Sequence, residues 1–267
     1  MDAIEQFETF RQRRRRAVLE PKGNLALVAT HWVEQEQKLW NVPGVWSPLS
    51  PGHSGLQLEA KTTDNIRLNG ELVDGRVVVN GKDSDAPGEL TFSSTVSGFV
   101  IAGHDKKYAL RVWDSESDAV KGFEQIDTFP YNPDWVLEGK FTEKPGATLP
   151  FEHSKDEGVT RVLEIPGDVS FSYLGQDYSL AAIRSGKALQ LVYSDATSGN
   201  ETYGVGRFLF VVPRSDGSLT LDFNNGILPP CAFSYAFNCP MPPAQNRLKF
   251  PIEAGEKNVI FKGSLEH

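Results

Sequence analysis

Between Asp195 and Glu256 the chain gathers the side chains best suited to hold a ligand. Arg207 follows Gly204 and Gly206, with Tyr203 just before them. A guanidinium placed there can form paired bonds to a carboxylate or phosphate, and glycine allows close approach to the backbone. Asp222 and Asn224 end the apolar run Leu219–Phe223. On a strand they would project from one face, so that a carboxylate and an amide converge on a ligand, with Asp222 able to move a proton. The structural alternatives are an internal salt bridge, for instance Arg207 to Asp222, and an Asn225-Gly226 turn in which Asp222 ties down nearby amides. The loop Asp195–Asn200 has hydroxyls and a glycine but no lysine and no phosphate-loop spacing. It reads as a turn whose amides could hold an anion.

Cys231 and Cys239 bracket a segment containing Phe233, Tyr235 and Phe237. Structural roles are expected for both, as buried thiols in a reducing compartment or as a disulfide in an oxidising one. Metal binding would need further ligands, and His31, His53, His104 and His153 are scattered without ligand spacing. No metal site is expected, and no cofactor can be named. A catalytic thiolate would need a neighbouring base, and none is readable. Cys239-Pro-Met-Pro-Pro243 is stiff: either a rigid loop laid across the domain or a segment shown to a proline-recognising partner. Nucleophile-elbow, zinc-protease, dinucleotide and kinase signatures are absent from the sequence.

The elements that must position these residues are mostly strands. The chain has 267 residues, 24 of them glycine and 17 proline, a pattern that favours short strands and frequent turns. A net charge of −8 argues against nucleic acid as a partner. No run of about eighteen apolar residues is present to cross a membrane as a helix, and Met1–Phe7 lacks the order of a secretory signal. A cytoplasmic protein is expected, with a possible small-molecule ligand as partner and an undetermined oligomeric state. Leu265-Glu-His267 reads as the start of an added tag.

Ile4, Phe7, Phe10, Ala17 and Val18 recur at helical spacing around Arg13-Arg-Arg-Arg16. That basic run is a solvated helix face or an anion-binding patch. A second helix is expected over Leu25–Trp40, and Val42–His53 then breaks it. The expected organisation is a helical arm over 1–45, a β-rich main domain over 46–264 and the tag remnant 265–267. Asp74-Gly75 and Asn80-Gly81 suggest tight hairpins. Strands are expected at Arg76–Val79, Phe99–Ala102, Lys107–Trp113, Val136–Phe141, Val159–Glu164, Val169–Leu174, Gln176–Ile183, Ala188–Tyr193, Arg207–Val212 and Ser218–Phe223. Leu174-Gly175-Gln176 and Ser215–Ser218 read as hairpin turns. The fold class is α+β, predominantly antiparallel β, with the strands forming a sandwich or a barrel-like sheet.

Several strings together resemble the bacterial domain-of-unknown-function family 1684. They are Asp195-Ala-Thr-Ser-Gly-Asn-Glu-Thr-Tyr-Gly-Val-Gly-Arg-Phe-Leu209, Leu221-Asp-Phe-Asn224, Pro230-Cys-Ala232, Cys239–Leu248 and Ile252-Glu-Ala-Gly-Glu256. Phe129-Pro-Tyr-Asn-Pro-Asp-Trp135 and the Pro166–Ala182 strand pair also fit. The likeness covers most of the chain beyond Arg111 and carries no known activity or cofactor. It implies that Arg207, Asp222, Asn224, Cys231, Cys239, Asn246 and Glu256 form one spatial cluster. Pro243-Ala-Gln-Asn246 stands where a more acidic Pro-Pro-Glu-Asn string is expected, which puts a carboxylate role at that loop in doubt.

The resulting expectation is a small, anionic ligand held by Tyr203, Arg207, Asp222, Asn224, Asn246 and Glu256. A hydrolase using Asp222 or Glu256 as acid–base is one alternative. A non-catalytic protein-interaction domain is the other.

Overall fold

The computed structural model describes residues 2–103, 106–156 and 160–263, so His104, Val159 and the tag-like Leu265–His267 lie outside the described residues. The chain divides into two compact units: Arg16–Gly122, and a second assembled from Met1–Arg15 with Phe123–His267. All the ladders between named strands are antiparallel among the described residues, which gives the expected α+β class with β predominant.

Helix α1 spans Ala3–Val18. The Asp2 carboxylate accepts the Glu5 amide at 2.7 Å, capping the first turn, and Glu5 favours the positive end of the helix dipole. Phe7 and Val18 are buried, while Ile4 stays 59% exposed.

The expected second helix does not form. Its residues supply β1 (Leu27–Trp32) and β2 (Gln37–Leu39), followed by β3 (Val42–Pro48) where a break was expected. The supposed apolar edge is split between faces, with Val33 and Leu39 buried and Trp40 77% and Trp32 42% exposed. Pairing of β1 with a distant strand decides the matter instead of local spacing.

The Arg16–Gly122 unit continues with β4 (Leu56–Ala60), β5 (Arg67–Leu68), β6 (Glu71–Leu72), β7 (Gly75–Val79), β8 (Glu89–Thr91), β9 (Val96–Ala102) and β10 (Tyr108–Asp114). The short helix α2 (Asp118–Gly122) closes it. One sheet runs β1-β10-β9-β8-β5-β6 and the other β2-β3-β4-β7. Their core includes Trp46, Leu56, Leu58, Ile66, Leu90 and Leu110. Neither Asp74-Gly75 nor Asn80-Gly81 joins a pair of neighbouring strands, because β7 ladders with β4.

The other unit adds β11 (Phe123–Thr128), β12 (Val136–Glu143), β13 (Thr148–Glu152), β14 (Thr160–Glu164), β15 (Gly167–Tyr173) and β16 (Gln176–Ser185). It ends with β17 (Ala188–Tyr193), β18 (Arg207–Val211), β19 (Ser218–Asp222) and β20 (Glu256–Phe261). The main sheet is ordered β18-β17-β16-β15-β12-β19, and its two edge strands approach each other, so that it curls toward closure. Leu174-Gly175 makes the expected tight hairpin between β15 and β16, with φ of 50° and 75°, the left-handed pair such a turn needs. Ser215–Ser218 also turns the chain, but β18 and β19 are not ladder partners. Inward residues Val169, Leu180, Leu191, Leu219 and Leu221 form the core, with Trp135 and Phe223 packed among them.

Candidate functional site

Each of the expected ligand residues in the C-terminal block has a definite protein partner. Arg207, the first residue of β18, is wholly buried. One guanidinium nitrogen donates to Asp195 Oδ2 at 2.7 Å and to the Ile252 carbonyl at 2.9 Å, and the other donates to the Ala254 carbonyl. The side chain also lies against the Tyr193 ring. Its ion partner is therefore Asp195, not Asp222, and its fork closes on the chain itself.

Asp195 in turn explains the hydroxyl-rich loop. Its Oδ1 accepts the Thr197 amide at 2.9 Å, the Thr197 hydroxyl at 2.7 Å and the Ile252 amide at 3.2 Å. The anion held by the amides of this loop is its own aspartate. Nothing in the residue types separates this arrangement from a ligand cradle. The Asp-x-Thr spacing was the only available signal.

Asn246 and Asn224 use their amides as backbone surrogates. The β16–β17 ladder stops after Ala182↔Leu191. At the next position Asn246 accepts the Ala181 amide at 2.8 Å and donates to the carbonyls of Ala181 and Val192 at 2.9 and 2.8 Å. Asn224 likewise accepts the Asn132 amide at 2.8 Å and donates to the Asn132 carbonyl at 2.9 Å. It does not continue the strand, because β19 ends at Asp222 and Phe223–Asn225 is one turn of 3-10 helix.

Glu256 is 1% exposed and is gripped by Arg14 of α1 at 2.8 and 3.0 Å, with the Leu228 amide at 2.7 Å as a third donor. The basic run of α1 thus has distinct roles. Arg14 is an internal partner, Arg15 bonds the Glu124 carbonyl, and Arg13 stays exposed.

The two cysteines are free and buried, with the Cys231 amide donating to Cys239 Sγ at 3.3 Å. Hydrogen bonding with Cys239 draws the Cys231 thiol below its ordinary range against the opposing effect of burial. Tyr203 packs beside them and donates to the Cys231 carbonyl at 3.1 Å, and burial pushes its phenol upward. The proline loop lies along β13: Met241 donates to the Glu152 carbonyl at 2.8 Å, and Pro242 and Pro243 are buried. Among the described residues no group of three or more His, Cys, Asp and Glu side chains is disposed to hold a metal.

Burial raises Tyr193 to about 12, and its hydroxyl has no hydrogen-bond partner among the described residues. The folded state therefore keeps this proton above the ordinary value of about 10. The associated stability is complete below pH 10 and is lost as pH rises to about 12. Tyr193→Phe should cost little at pH 7, because no bond is removed, and should flatten the alkaline decline. Urea midpoints at pH 8, 10 and 11 measure this, and an unchanged decline in the variant would contradict it.

Asp222 lines a cavity. Its Oδ1 accepts the Asn224 amide at 3.1 Å and side chain at 2.9 Å, and its Oδ2 accepts the Asn225 side chain at 2.8 Å. This fixed carboxylate borders a groove of about 430 Å³ beneath α1. Arg13, Gln6 and Thr9 contribute polar groups there, and Phe10, Tyr131 and Phe210 contribute aromatic wall. Tyr203, Arg207, Asn224, Asn246 and Glu256 thus close on internal partners, while Asp222, held by Asn224 and Asn225, also lines the same groove as Arg13 of the N-terminal basic run.

A family profile described as "Protein of unknown function (DUF1684)" matches residues 121–257, just over half of the chain. Among solved structures, the solution NMR structure of an uncharacterized protein from Haloarcula marismortui is 29% identical, with 54% of this chain and 80% of that one covered and a TM-score of 0.41. No curated protein matches. The C-terminal locks described above fall inside the matched segment, and the chain belongs to this family of proteins of unknown function.

Proposed function

We propose that the protein binds a small aromatic molecule bearing an anionic group in the groove between α1 and the end of β19. The observation that carries this reading is the pairing of a pre-fixed carboxylate, Asp222, with the exposed cation Arg13 along one aromatic-walled cavity. Asp222 Oδ2 receives one donor from Asn225 and retains acceptor capacity for a ligand hydroxyl or N–H. Arg13 offers a guanidinium fork to a carboxylate. Phe10, Tyr131 and Phe210 supply flat apolar surface, with Phe210 43% exposed. Such a mixture of apolar wall and few oriented polar groups is the usual make-up of a small-molecule site.

Indole-3-acetate is a suitable probe. Saturable binding by calorimetry is expected, with at least a tenfold loss in Arg13→Glu and in Asp222→Asn. Arg13 is exposed, so Arg13→Glu should leave the melting temperature nearly unchanged. Equal affinity in wild type and both variants would remove the groove from consideration.

A further inference from the structure

A second cavity lies elsewhere, wholly within the Arg16–Gly122 unit. It encloses about 650 Å³. Val33, Pro48, Leu49 and Pro51 give it an apolar side, and the opposite end is polar.

The polar end is built around Asp83. Ser54 Oγ donates to Asp83 Oδ1 at 2.6 Å and the Tyr108 hydroxyl donates to Oδ2 at 3.0 Å. Each hydroxyl has a single proton, and both protons are committed to the carboxylate. What the three side chains still offer is lone pairs. His53 follows the same rule: its Nδ1 lies 3.2 Å from the Ser50 carbonyl, which can only accept. The proton therefore sits on Nδ1, leaving Nε2 an acceptor in the neutral ring. Hydrogen bonding from Ser54, and less so from Tyr108, holds the Asp83 carboxyl below its usual range, so it is charged at neutral pH.

Two glycines make room for this arrangement. A Cβ at Gly81 would come 2.5 Å from Asp83 Oδ1 and 2.8 Å from Ser54 Oγ. One at Gly55, where φ is 117°, would overlap the Val79 carbonyl. A side chain at either position would displace the acceptor cluster.

The remaining charges narrow the ligand further. Lys107 is paired with Glu34 at 2.9 Å. Lys106 lines the same cavity and is exposed. A bare amine would answer the acceptors but bring no counter-charge for Lys106. A molecule with one ammonium and one carboxylate answers both.

We propose that this cleft binds a small zwitterion of the α-amino acid type with an aliphatic side chain. The ammonium donates to the Asp83–Ser54–Tyr108 acceptors, the carboxylate faces Lys106, and the side chain covers Pro48 and Leu49. The proposal is independent of the groove beneath α1.

The test is calorimetric titration of the full chain with L-leucine, N-acetyl-L-leucine and isopentylamine. L-Leucine should bind saturably, its N-acetyl form should not, and isopentylamine should bind at least fivefold more weakly than L-leucine. Asp83→Asn should weaken L-leucine at least tenfold, and Gly81→Ala should do so through the displaced carboxylate. Asp83→Asn should leave the chain folded, with a melting temperature lowered by no more than about a few degrees, and indole-3-acetate binding unaltered, which separates loss of this site from loss of fold. Absence of L-leucine binding at millimolar concentration would overturn the proposal. Equal binding of the acetylated form, or unchanged affinity in Asp83→Asn, would overturn it as well.

Discussion

Asp195→Ala should lower the unfolding free energy by about 3–5 kcal/mol, the range expected when one partner of a buried ion pair is removed. Asp195 and Arg207 side chains are both 0% exposed, so solvent screening does not reduce the figure. The loss has several parts. Arg207 would be left charged and buried with only the Ile252 and Ala254 carbonyls to answer it. The amides of Thr197 and Ile252 would lose their acceptor as well. A fall in melting temperature of about 10 °C is expected for a chain of this size. Urea denaturation of Asp195→Ala, Arg207→Met and the double variant measures the coupling directly. The double variant should be less damaged than the two single losses added together, because no unpaired charge remains. Strict additivity would mean that the two side chains are not acting as one lock.

Asn246→Leu is the second large effect. It leaves the Ala181 amide and the carbonyls of Ala181 and Val192 without partners inside the main sheet. Each orphaned buried group costs about 1–3 kcal/mol, so a total near 4 kcal/mol is expected. Asn246→Asp gives the sharper test. The acceptor toward the Ala181 amide survives, but an oxygen now faces two carbonyl oxygens. The folded state should then prefer the protonated acid, raising that carboxyl above its unfolded value of about 3.9. Stability of this variant should be greatest at low pH and decline as pH rises toward 7. Wild type has no such decline from this position. Chemical denaturation at pH 4.5 and 7 distinguishes the two, and a pH-independent deficit would contradict the proposed role of the amide.

Apolar alternation and turn residues are local signals, and they made β7, β9, β10, β12 and β14–β19 legible in the sequence but not β1–β6, β8, β11, β13 or β20. Ala188–Tyr193 matches the observed strand residue for residue, and its neighbours differ by only a few residues at their ends. Partnership was not legible. That β12 lies between β15 and β19, or that β11 pairs with β20, depends on contacts between segments far apart in the chain. The same limit produced the false helix at Leu25–Trp40. Its Trp32 and Trp40 spacing suggested an amphipathic face, while β10 offered β1 a ladder that no local window contains.

The candidate site was legible as a collection of residues and illegible as a geometry. Arg207, Asn246 and Glu256 were singled out because they can grip a carboxylate, a carbonyl or a cation. Those same capacities serve an internal clasp equally well. Burial is what separates the two uses, and it is set by packing of the whole sheet. Asp222 could be distinguished from its neighbours only once α1 was seen to lie across it.

The Arg14–Glu256 pair joins residues 242 positions apart, and it fastens the first helix of the chain to its last strand. On the ribosome α1 is made long before the strand that completes its docking surface. Residues 16–122 have their own core and can assemble as they emerge. Helix α1 must meanwhile keep its basic face solvated until Glu256 clears the exit tunnel. A nascent chain stalled before that residue would carry a tethered, undocked helix, and protease sensitivity near Arg14 would report the moment of closure.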